Sequence, residues 1–313
     1  MPGPLVSLII NNYNYGRFMG DAIESALAQG YPDKEVIVVD DGSTDNSRDV
    51  IASYGSRIKA VLKENGGQAS AFNAGFRESK GELVCFLDSD DCWYKNKVEE
   101  SVKAALAHPD AVLVYHQLIT ASEDLTLTGK PAPRIIFQGN ILGVVTKSCG
   151  WWGYPATSAL CFRRRFLDRV MDIPEEEYRL AADAYLANLA PFMGEVYGFR
   201  KPLALYRIHG KNYGYQNSPD RLAGEKDAIQ KHIRYYEEST ASLNNSLESM
   251  CLPYRVSMED HWPYLYHLWK LGDGPGLPVL FWRLLRFPGI PTYTEKLRNT
   301  ARILLESAGL RRR

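Results

Sequence analysis

The chain has 313 residues, of which 45% are hydrophobic and 24% are charged, with 37 basic side chains balancing 37 acidic ones. These fractions are typical of a globular protein and exclude a wholly disordered or collagen-like chain. A formal net charge of zero argues against a nucleic-acid partner, because binding to a phosphate backbone needs a cationic excess. The length fits one large domain or two moderate ones.

Cysteine usage and hydropathy bear on the compartment. The five cysteines are odd in number and scattered, which is typical of neither a disulfide framework nor a metal-ligand motif. No signal-peptide pattern begins the sequence, and no apolar run approaches the ~20 residues of a membrane-spanning helix. We therefore expect a cytoplasmic protein in a reducing compartment.

Apolar runs and amphipathic segments alternate along the first 115 residues. The apolar runs predict buried strands at 5–10, 35–39, 58–62, 83–87 and 111–115. Between them, hydrophobic residues recur at helical spacing, as Met19 and Ile23 do before Gly30. Ser43 or Thr44 is positioned to cap the helix after the second strand. Such alternation predicts an α/β fold with a doubly wound, mostly parallel sheet flanked by helices.

The later part of the chain is less regular. Further strands are predicted at 157–162 and 203–206, with a helix around Tyr185 and Leu189 between them. After about residue 220 only helical spacing remains, which predicts a helical C-terminal extension. These patterns divide the chain into one domain at 1–215 and a helical region at 216–313.

Polar side chains follow three of the predicted strands, at the point where each strand ends. They are Asn11-Asn12-Tyr13-Asn14, Asp40-Asp41 and Asp88-Ser89-Asp90-Asp91. Because ligands of open parallel sheets bind outside the carboxyl ends of the strands, these clusters predict one crevice. The turn Asn65-Gly66-Gly67-Gln68 leads into a helix, whose N-terminus favours an anion such as phosphate.

The acidic cluster at Asp88, Asp90 and Asp91 is the strongest single signal. Carboxylates this close repel one another unless a cation neutralises them. Oxygen-only ligands suit Mg²⁺ or Mn²⁺, which often also hold substrate phosphates. The alternative is an acidic loop that only caps the helix after it, because aspartates that follow a strand are often N-caps.

Two groups of segments form an ordered set. The first group is Val6–Ile10 with Tyr13-Asn14, Val38–Asp45, Asn65–Gly67 with Asn73–Gly75, and Phe86–Asp91. The second group is Thr157-Ser158, Phe162–Arg164, Asp183 and Pro202–Gly210. Together they closely resemble the inverting family 2 glycosyltransferases of GT-A fold, and the resemblance extends to about residue 215.

The resemblance implies a role for each of these positions. One group is implied to bind the sugar donor: Asn11, Tyr13, Asp40, Asp41, Gly67, Gln68 and Asp88. Within it, Asn11 and Tyr13 contact the nucleobase, Asp41 and its neighbour accept from a ring N–H, and Asp88 lies near the ribose. Asp90 and His209 are implied to contact a metal on the diphosphate. Asp183 is the best match to the family's general base.

The sequence departs from the family's pattern at two places that bear on function. The general base is usually preceded by Glu, whereas Ala182 precedes Asp183 here, and Glu175, Glu176 and Glu177 are competing candidates nearby. The Gln-x-x-Arg-Trp segment of processive polysaccharide synthases is absent, which argues against a processive synthase.

The resemblance therefore implies a metal-dependent inverting transferase with Mn²⁺ or Mg²⁺ as cofactor. Residues 1–115 would bind a nucleotide-sugar donor, with UDP favoured. Residues 116–215 would bind the acceptor, a hydroxyl of a glycan, cell-surface polysaccharide or lipid-linked sugar. A non-catalytic nucleotide- or glycan-binding module is the alternative, since fold does not fix function. A dinucleotide oxidoreductase ranks far behind, because no Gly-x-Gly-x-x-Gly follows the first strand.

One charge asymmetry is hidden by the zero total. Gly276–Arg313 contains eight basic and two acidic residues, an excess of six, together with the apolar runs Val279–Trp282 and Leu284-Leu285. Basic helices with Trp, Phe and Leu can lie on an anionic membrane surface. The pattern predicts either peripheral contact with the inner face of the membrane or a packed helical subdomain with a solvated basic rim. We favour the subdomain, because amphipathicity alone does not separate the two.

Overall fold

A computed structural model describes residues 3–148, 150, 152–210, 212, 225–287 and 293–307. The chain divides into two compact units: Met1–Ile141 together with Gly153–Tyr215, and Leu142–Trp152 together with Gln216–Arg313. The division predicted between residues 215 and 216 falls in a stretch outside the described ranges. Residues 142–152 group with the second unit, although the sequence patterns assign them to the first.

The first unit contains one mixed β-sheet. Its strands, within the described residues, are β1 (Val6–Asn12), β2 (Lys34–Asp41), β3 (Lys59–Lys63), β4 (Leu83–Asp88), β5 (Cys92–Trp93), β6 (Ala111–Ala121), β7 (Gln138–Gly139), β8 (Leu160–Arg163) and β9 (Glu195–Arg207). They lie in the order β3-β2-β1-β4-β8-β6-β9-β5, and β7 pairs with β9. The strands β1 to β4 run parallel, whereas β8 runs antiparallel to both β4 and β6.

Helices flank this sheet and make up the second unit. Those of the first unit are α1 (Gly16–Leu27), α2 (Ser47–Ser53), α3 (Gln68–Arg77), α4 (Lys97–Ala107), α6 (Arg164–Val170) and α7 (Ala182–Met193). Those of the second are α5 (Leu142–Lys147), α8 (Glu225–Ser249), α9 (Trp262–Leu271), α10 (Leu277–Arg286) and α11 (Tyr293–Ser307). Among the helices that the structure describes, none is both long enough and apolar enough to cross a membrane.

The parallel strands are apolar throughout because both of their faces are covered. In β1, Ile10 belongs to a buried cluster with Ile23 of α1. Ile9 points to the other face and lies against Gly75 of α3, where even a single added Cβ would come within 2.5 Å of it. This double burial explains why the run reads as continuously hydrophobic rather than alternating.

One predicted helix cap is wrong. The helix α2 begins at Ser47, after Asn46, so neither Ser43 nor Thr44 caps it. The carboxylate of Asp45 accepts the backbone N–H of Ser47 at 2.9 Å instead. Ser43 and Thr44 bond to the loop that follows β1, a long-range contact that local capping rules do not anticipate.

Two strands are longer than their apolar runs indicate. The strand β6 continues to Ala121, and β9 already begins at Glu195. The two pair in parallel, with register shifts beside His116 and Gln117. Both of these polar side chains are buried, so a pattern based on hydropathy ends the strand too early.

The second unit has its own small core. Six buried residues form it: Trp262, Tyr266, Leu280, Leu284, Phe287 and Ile303. They come from α9, α10 and α11 and from the residue that follows α10. Burial of these side chains stabilises this unit.

A cluster of histidines lies beside that core. The rings of His232 and His267 are 5.0 Å apart, and His261 is 4.7 Å from the ring of Tyr236. Removal from water, together with the positive charge that neighbouring groups would carry, lowers the pKa of both His261 and His267 to about 4. Both rings are therefore neutral at pH 7 in the folded chain.

We expect the second unit to lose stability as the pH falls from about 6.5 to about 4. Unfolded histidine takes up a proton near pH 6.5, whereas folded His261 and His267 do so near 4, so the unfolded state binds more protons in that window. Hydrogen exchange of α8 and α9 in the full chain measures this loss. His267→Phe keeps the ring contacts and should reduce it; an unchanged pH dependence in that variant would contradict the assignment.

Candidate active site

The register of the parallel strands gathers polar residues at one edge of the sheet. The strand β1 pairs Asn11 with Asp88 of β4, and Asn12 with Asp40 of β2. Their side chains also meet: Asn11 Nδ2 donates to Asp88 Oδ1 at 2.9 Å, and Asn12 Nδ2 donates to Asp40 Oδ1 at 3.0 Å. The ends of three strands therefore form one polar edge.

Asn11 and Tyr13 leave groups available at this edge. Tyr13 has 47% of its surface exposed and precedes Asn14, whose left-handed backbone has a φ of 60°. Asn14 Oδ1 accepts the Thr44 N–H at 2.7 Å, which ties this loop to the one after β2. Asn11 Oδ1 is buried and has no hydrogen-bond partner among the described residues. Since an unpaired buried acceptor is costly, a ligand that donates a hydrogen bond there would be stabilised.

Asp40 is an internal residue of the site. It is fully buried, and its carboxylate accepts from Asn12 Nδ2, the Ser43 N–H and Arg48 Nε at 3.0–3.1 Å. Burial alone would raise its pKa, but the hydrogen bonds from Ser43, Arg48 and Asn12 outweigh that effect and lower the pKa. Asp40 is therefore ionised and holds the loop after β2.

Asp41 holds the glycine-rich turn. Its carboxylate accepts the backbone N–H groups of Gly66 at 2.9 Å and Gly67 at 2.7 Å, and lies 2.7 Å from Lys63 Nζ. The oxygens of Asp40 and Asp41 are thus already engaged by donors of the chain. Both residues shape the loops around the crevice, and a nucleobase N–H would compete with these donors.

Gly67 is required by its backbone and by its neighbour. Its φ of 90° and ψ of 179° lie in a region that is essentially restricted to glycine. A Cβ at this position would come within 2.5 Å of the carbonyl oxygen of Arg179. The next residue, Gln68, donates its backbone N–H to the same oxygen at 2.6 Å. The start of α3 is therefore pressed against the segment that precedes α7.

Gly67→Ala is expected to destabilise the chain by about 1–3 kcal/mol and to weaken ligand binding at this turn. The reasons are the strained backbone and the close approach of Arg179. Gly20→Ala is the matched control, because Gly20 lies within α1 and its added Cβ would meet only Tyr54 Oη at 3.7 Å. Chemical denaturation of both variants measures the difference; equal stability would contradict the argument.

Asp88 lies at the centre of the acidic group. It accepts from Asn11 Nδ2 and, at 3.2 Å, from Gln68 Nε2. Removal from water, and then the charges of Asp90 and Asp183, raise the pKa of Asp88 to about 7. Its negative charge is therefore poorly compensated by the chain itself, and a cation would be attracted to this point.

Asp90 is held on one oxygen and open on the other. Oδ2 lies 2.9 Å from His209 Nε2 and accepts from Asn212 Nδ2 at 3.2 Å. Oδ1 receives no hydrogen bond within the described part of the chain. The His209 side chain is fully buried, and its ring packs 4.9 Å from Phe18. His209 Nε2 thus faces Asp90, an arrangement that orients the carboxylate.

Asp91 has an internal role. It is fully buried and accepts from Ser158 Oγ at 2.6 Å and from the Arg207 N–H at 2.9 Å. The Arg207 guanidinium in turn donates to the Asp90 carbonyl at 2.7 Å and to Asp21 at 2.8 Å. These contacts connect the acidic loop to the end of β9, so its backbone is fixed before any ligand binds.

Asp183 lies in the first turn of α7, on the same side as the acidic loop. Thr157 Oγ1 donates to Asp183 Oδ2 at 3.1 Å. A hydrogen bond from the same hydroxyl lowers the pKa of Asp88, so Thr157 is a neighbour of both carboxylates. Burial raises the pKa of Asp183 above its ordinary value. Gln68 Oε1 accepts the Ala182 N–H at 3.0 Å, which joins this turn to Gln68 and, through it, to Asp88.

The competing glutamates have different surroundings. Glu175, Glu176 and Glu177 are all exposed. Glu175 accepts from Asn73 Nδ2 at 3.2 Å, on the α3 side. The negative charge of Asp183, in contrast, raises the pKa of Asp88. Of the four candidates, Asp183 is the one that the described contacts bring to the acidic loop.

The donor set fits a divalent cation that shares its ligands with a substrate. Within the described residues, no group of three or more His, Cys, Asp or Glu side chains has the arrangement to hold an ion by itself. Mg²⁺ is usually held by one or two carboxylates together with substrate phosphates, and retains several waters. The open oxygen of Asp90 and the uncompensated charge of Asp88 match that demand.

Sequence patterns miss several members of the site. Asn212 holds both Asp90 and the Arg207 carbonyl, and Thr157 contacts Asp183. Tyr15 packs 5.2 Å from the ring of His209. Only Asn212 carries a local signal: its Oδ1 accepts the His209 N–H three residues earlier, a short polar turn that the Arg-x-His-x-x-Asn spacing could have suggested.

The comparison with protein families agrees with this geometry. Residues 7–166, just over half of the chain, match the model of "Glycosyl transferase family 2". The chain belongs to glycosyl transferase family 2. A relative from Nostoc sp. (strain PCC 7120), described as an uncharacterized glycosyltransferase, is 37% identical over 211 residues. That match covers 66% of this chain and 66% of the relative, so the chain matches just under two thirds of the relative's length.

Solved structures share the fold. Residues 1–349 of TarS from S. aureus, in complex with UDP-GlcNAc, superpose with a TM-score of 0.56 at 16% identity, covering 89% of this chain and 83% of TarS 1–349. The mannosyltransferase PcManGT from Pyrobaculum calidifontis, in complex with GDP-Man and Mn²⁺, gives 0.51 at 19% identity, covering 96% and 84%. The first unit of this family 2 chain therefore has the predicted GT-A fold. The C-terminal region of the chain is helical, which was also predicted.

Proposed function

We propose that this chain is a metal-dependent inverting glycosyltransferase that moves a sugar from a UDP-sugar to a hydroxyl acceptor. One observation carries the proposal: Asp183 comes from a distant part of the chain, yet Thr157 and Gln68 connect its turn to Asp88, at the carboxyl end of a parallel strand and two residues before Asp90. Membership of family 2 supports the reaction class. Residues 1–115 contribute the donor half and residues 116–215 the acceptor half.

The donor lies along the polar edge in this proposal. Asn11 and Tyr13 contact the nucleobase, and the unpaired Asn11 Oδ1 accepts its ring N–H. Asp88 binds near the ribose, with Gln68 Nε2 beside it. Gly67 shapes the turn, because its N–H is already bonded to Asp41 and that of Gln68 to the Arg179 carbonyl. Asp40 and Asp41 keep the two loops in place through the contacts given above. The UDP-GlcNAc bound to TarS supports uridine as the base.

Asp90 would hold the divalent cation, with its open oxygen toward the ion and the other held by His209 and Asn212. When bound, the ion neutralises the charge that develops on the departing diphosphate. The Mn²⁺ in the PcManGT complex supports a cation of this kind. In this proposal His209 orients Asp90 and is not itself a metal ligand, because its Nε2 faces the carboxylate, and hydrogen-bonded partners of a metal ligand tune metal affinity.

Asp183 acts as the general base. Its carboxylate takes the proton from the acceptor hydroxyl while that oxygen forms a bond to the anomeric carbon and the bond to the diphosphate breaks. A single displacement from the face opposite the leaving group inverts the anomeric configuration. The raised pKa of Asp183 suits this task, because a stronger base holds the abstracted proton better. Thr157 keeps one oxygen of the carboxylate oriented.

A panel of nucleotide-sugars tests the proposal. UDP-, GDP- and dTDP-sugars are each incubated with the full chain, with and without Mn²⁺ or Mg²⁺, and released nucleoside diphosphate is measured. We expect cation-dependent release from a UDP-sugar, accelerated by a hydroxyl acceptor. Thermal stabilisation by UDP with Mn²⁺, but no release from any donor under any condition, would instead identify a non-catalytic binding module.

A further inference from the structure

The outer face of α10 is apolar and uncovered. Leu280 and Leu284 are fully buried in the core of the second unit. Val279, Trp282 and Leu285 lie on the opposite side of the helix and are 47%, 44% and 52% exposed. Their spacing of three residues places them in one stripe along the helix.

The following helix repeats this arrangement. In α11, Ile303 is fully buried, whereas Leu297, Leu304 and Leu305 are 57%, 50% and 44% exposed. Lys296 Nζ donates to the carbonyl oxygen of Leu285, which ties the start of α11 to the end of α10. Six large apolar side chains are therefore exposed on these two helices: Val279, Trp282, Leu285, Leu297, Leu304 and Leu305. The stripe of Val279, Trp282 and Leu285 is here named the α10 face.

Cationic groups accompany this face. The guanidinium groups of Arg286 and Arg283 lie 4.1 and 4.9 Å from the centre of the Trp282 ring. One of the two acidic residues of this stretch, Glu306, accepts from Tyr266 Oη at 2.6 Å and lies 3.8 Å from Arg302 Nε, so its charge is partly neutralised. Among the described residues of this stretch, the exposed Trp282 ring and the two arginine charges thus lie together.

We propose that the α10 face docks on an anionic lipid surface, with α10 lying in the plane of the interface. Tryptophan and leucine enter the boundary between headgroups and acyl chains, while arginine stems let the charges reach the lipid phosphates. A ten-residue helix is only about 15 Å long, half the thickness of a bilayer core, so it lies along the surface. This inference concerns the second unit and does not depend on the proposed sugar transfer.

The charge decides between lipid and a second copy of the chain. In a symmetric dimer the same patch meets itself, so four arginines, Arg283 and Arg286 of both copies, would be gathered in one small interface. Like charges juxtaposed in an interface oppose association. An anionic lipid surface attracts them instead, at about 1 kcal/mol per basic residue, or about fivefold in partitioning.

Sedimentation of the full chain with vesicles tests the proposal. Vesicles with 30% phosphatidylglycerol in phosphatidylcholine are compared with pure phosphatidylcholine, at low and high salt. We expect salt-sensitive pelleting with the anionic vesicles only. The double variant Trp282→Ser with Leu285→Ser should reduce partitioning by about tenfold or more, since both side chains lose apolar contact. Arg283→Gln with Arg286→Gln should reduce it by up to about 25-fold, at about fivefold per residue, and with the anionic vesicles alone.

Controls separate docking from misfolding. Leu106→Ser is the matched control, because Leu106 lies on α4 of the first unit and is 63% exposed. It should leave pelleting unchanged, and all variants should unfold at the temperature of the parent chain. Absence of pelleting by the parent chain, or equal pelleting by the double variant, would overturn the proposal. The proposal would also be overturned if the parent chain formed a dimer without binding vesicles and the double variant abolished that dimer.

Discussion

Asp183→Asn is expected to lower kcat for sugar transfer by about 10²–10⁴, the usual contribution of a positioned general base. The amide cannot take the acceptor proton, but it retains the shape of the carboxylate and can still accept from Thr157 Oγ1. Stability should be unchanged or slightly higher, because burial raises the pKa of Asp183 and thus opposes its charged form in the folded chain. Donor binding should persist.

Steady-state kinetics with saturating donor measures this effect. Glu176→Gln is the matched control, since it changes a carboxylate to an amide at an exposed position of the same segment. It should retain full activity. A normal kcat in Asp183→Asn would contradict the role of Asp183 as the base. A large loss of kcat in Glu175→Gln, Glu176→Gln or Glu177→Gln would assign that role to the glutamate concerned.

The pH profile gives a second readout of the same residue. A base must be deprotonated to act, so kcat/KM falls as the pH drops through its pKa. Because burial raises the pKa of Asp183, this acid limb should lie above the ordinary aspartate value of about 3.9. The residual activity of Asp183→Asn should lack the limb, and its persistence there would point to another group.

Asp90→Asn is expected to remove most of the cation-dependent transfer, by about 100-fold or more at a fixed Mn²⁺ concentration. An ion that contributes several kcal/mol to the transition state accounts for a loss of that size. The variant keeps a polar side chain between His209 and Asn212, so the loop should remain folded. Chelation of the cation should reduce the parent enzyme to a similar rate.

Graded variants test the arrangement around Asp90. His209→Gln should weaken Mn²⁺ affinity by about 10–100-fold, as loss of an orienting partner does, and excess Mn²⁺ should restore much of the rate. Asp49→Asn, on the exposed side of α2, serves as the control for loss of one carboxylate. Full activity of Asp90→Asn, or activity that chelation leaves unaffected, would contradict the role of the cation.

The first half of the sheet could be predicted because its strands are buried on both faces. Continuous apolar runs such as that of β1 and β4 are visible without tertiary information. The strands β6 and β9 were only partly predictable, since buried polar residues such as His116 interrupt the hydropathy pattern. The antiparallel pairing of β8 with β4 depends on contacts that no local spacing encodes.

The residues of the site were likewise predictable only in part. Asp88 and Asp90 follow a recognisable strand, so their clustering could be inferred from position alone. The contacts of Thr157 and Asn212 with the acidic loop could not, because they form only when residues about 70 and 120 positions away in the chain fold against Asp88 and Asp90. The local spacing could suggest only the turn between His209 and Asn212. The hydrogen bonds from the glycine-rich turn to both carboxylate oxygens of Asp41 are likewise visible only in three dimensions.

Binding of UDP, measured by titration calorimetry with and without Mn²⁺, tests the central claim most directly. It is performed on the parent chain, Asp90→Asn and Asp183→Asn. We expect cation-dependent binding of similar affinity in the parent and Asp183→Asn, and binding weakened by about 100-fold in Asp90→Asn. Equal binding with and without the cation, or undiminished binding in Asp90→Asn, would contradict a donor site built around that carboxylate.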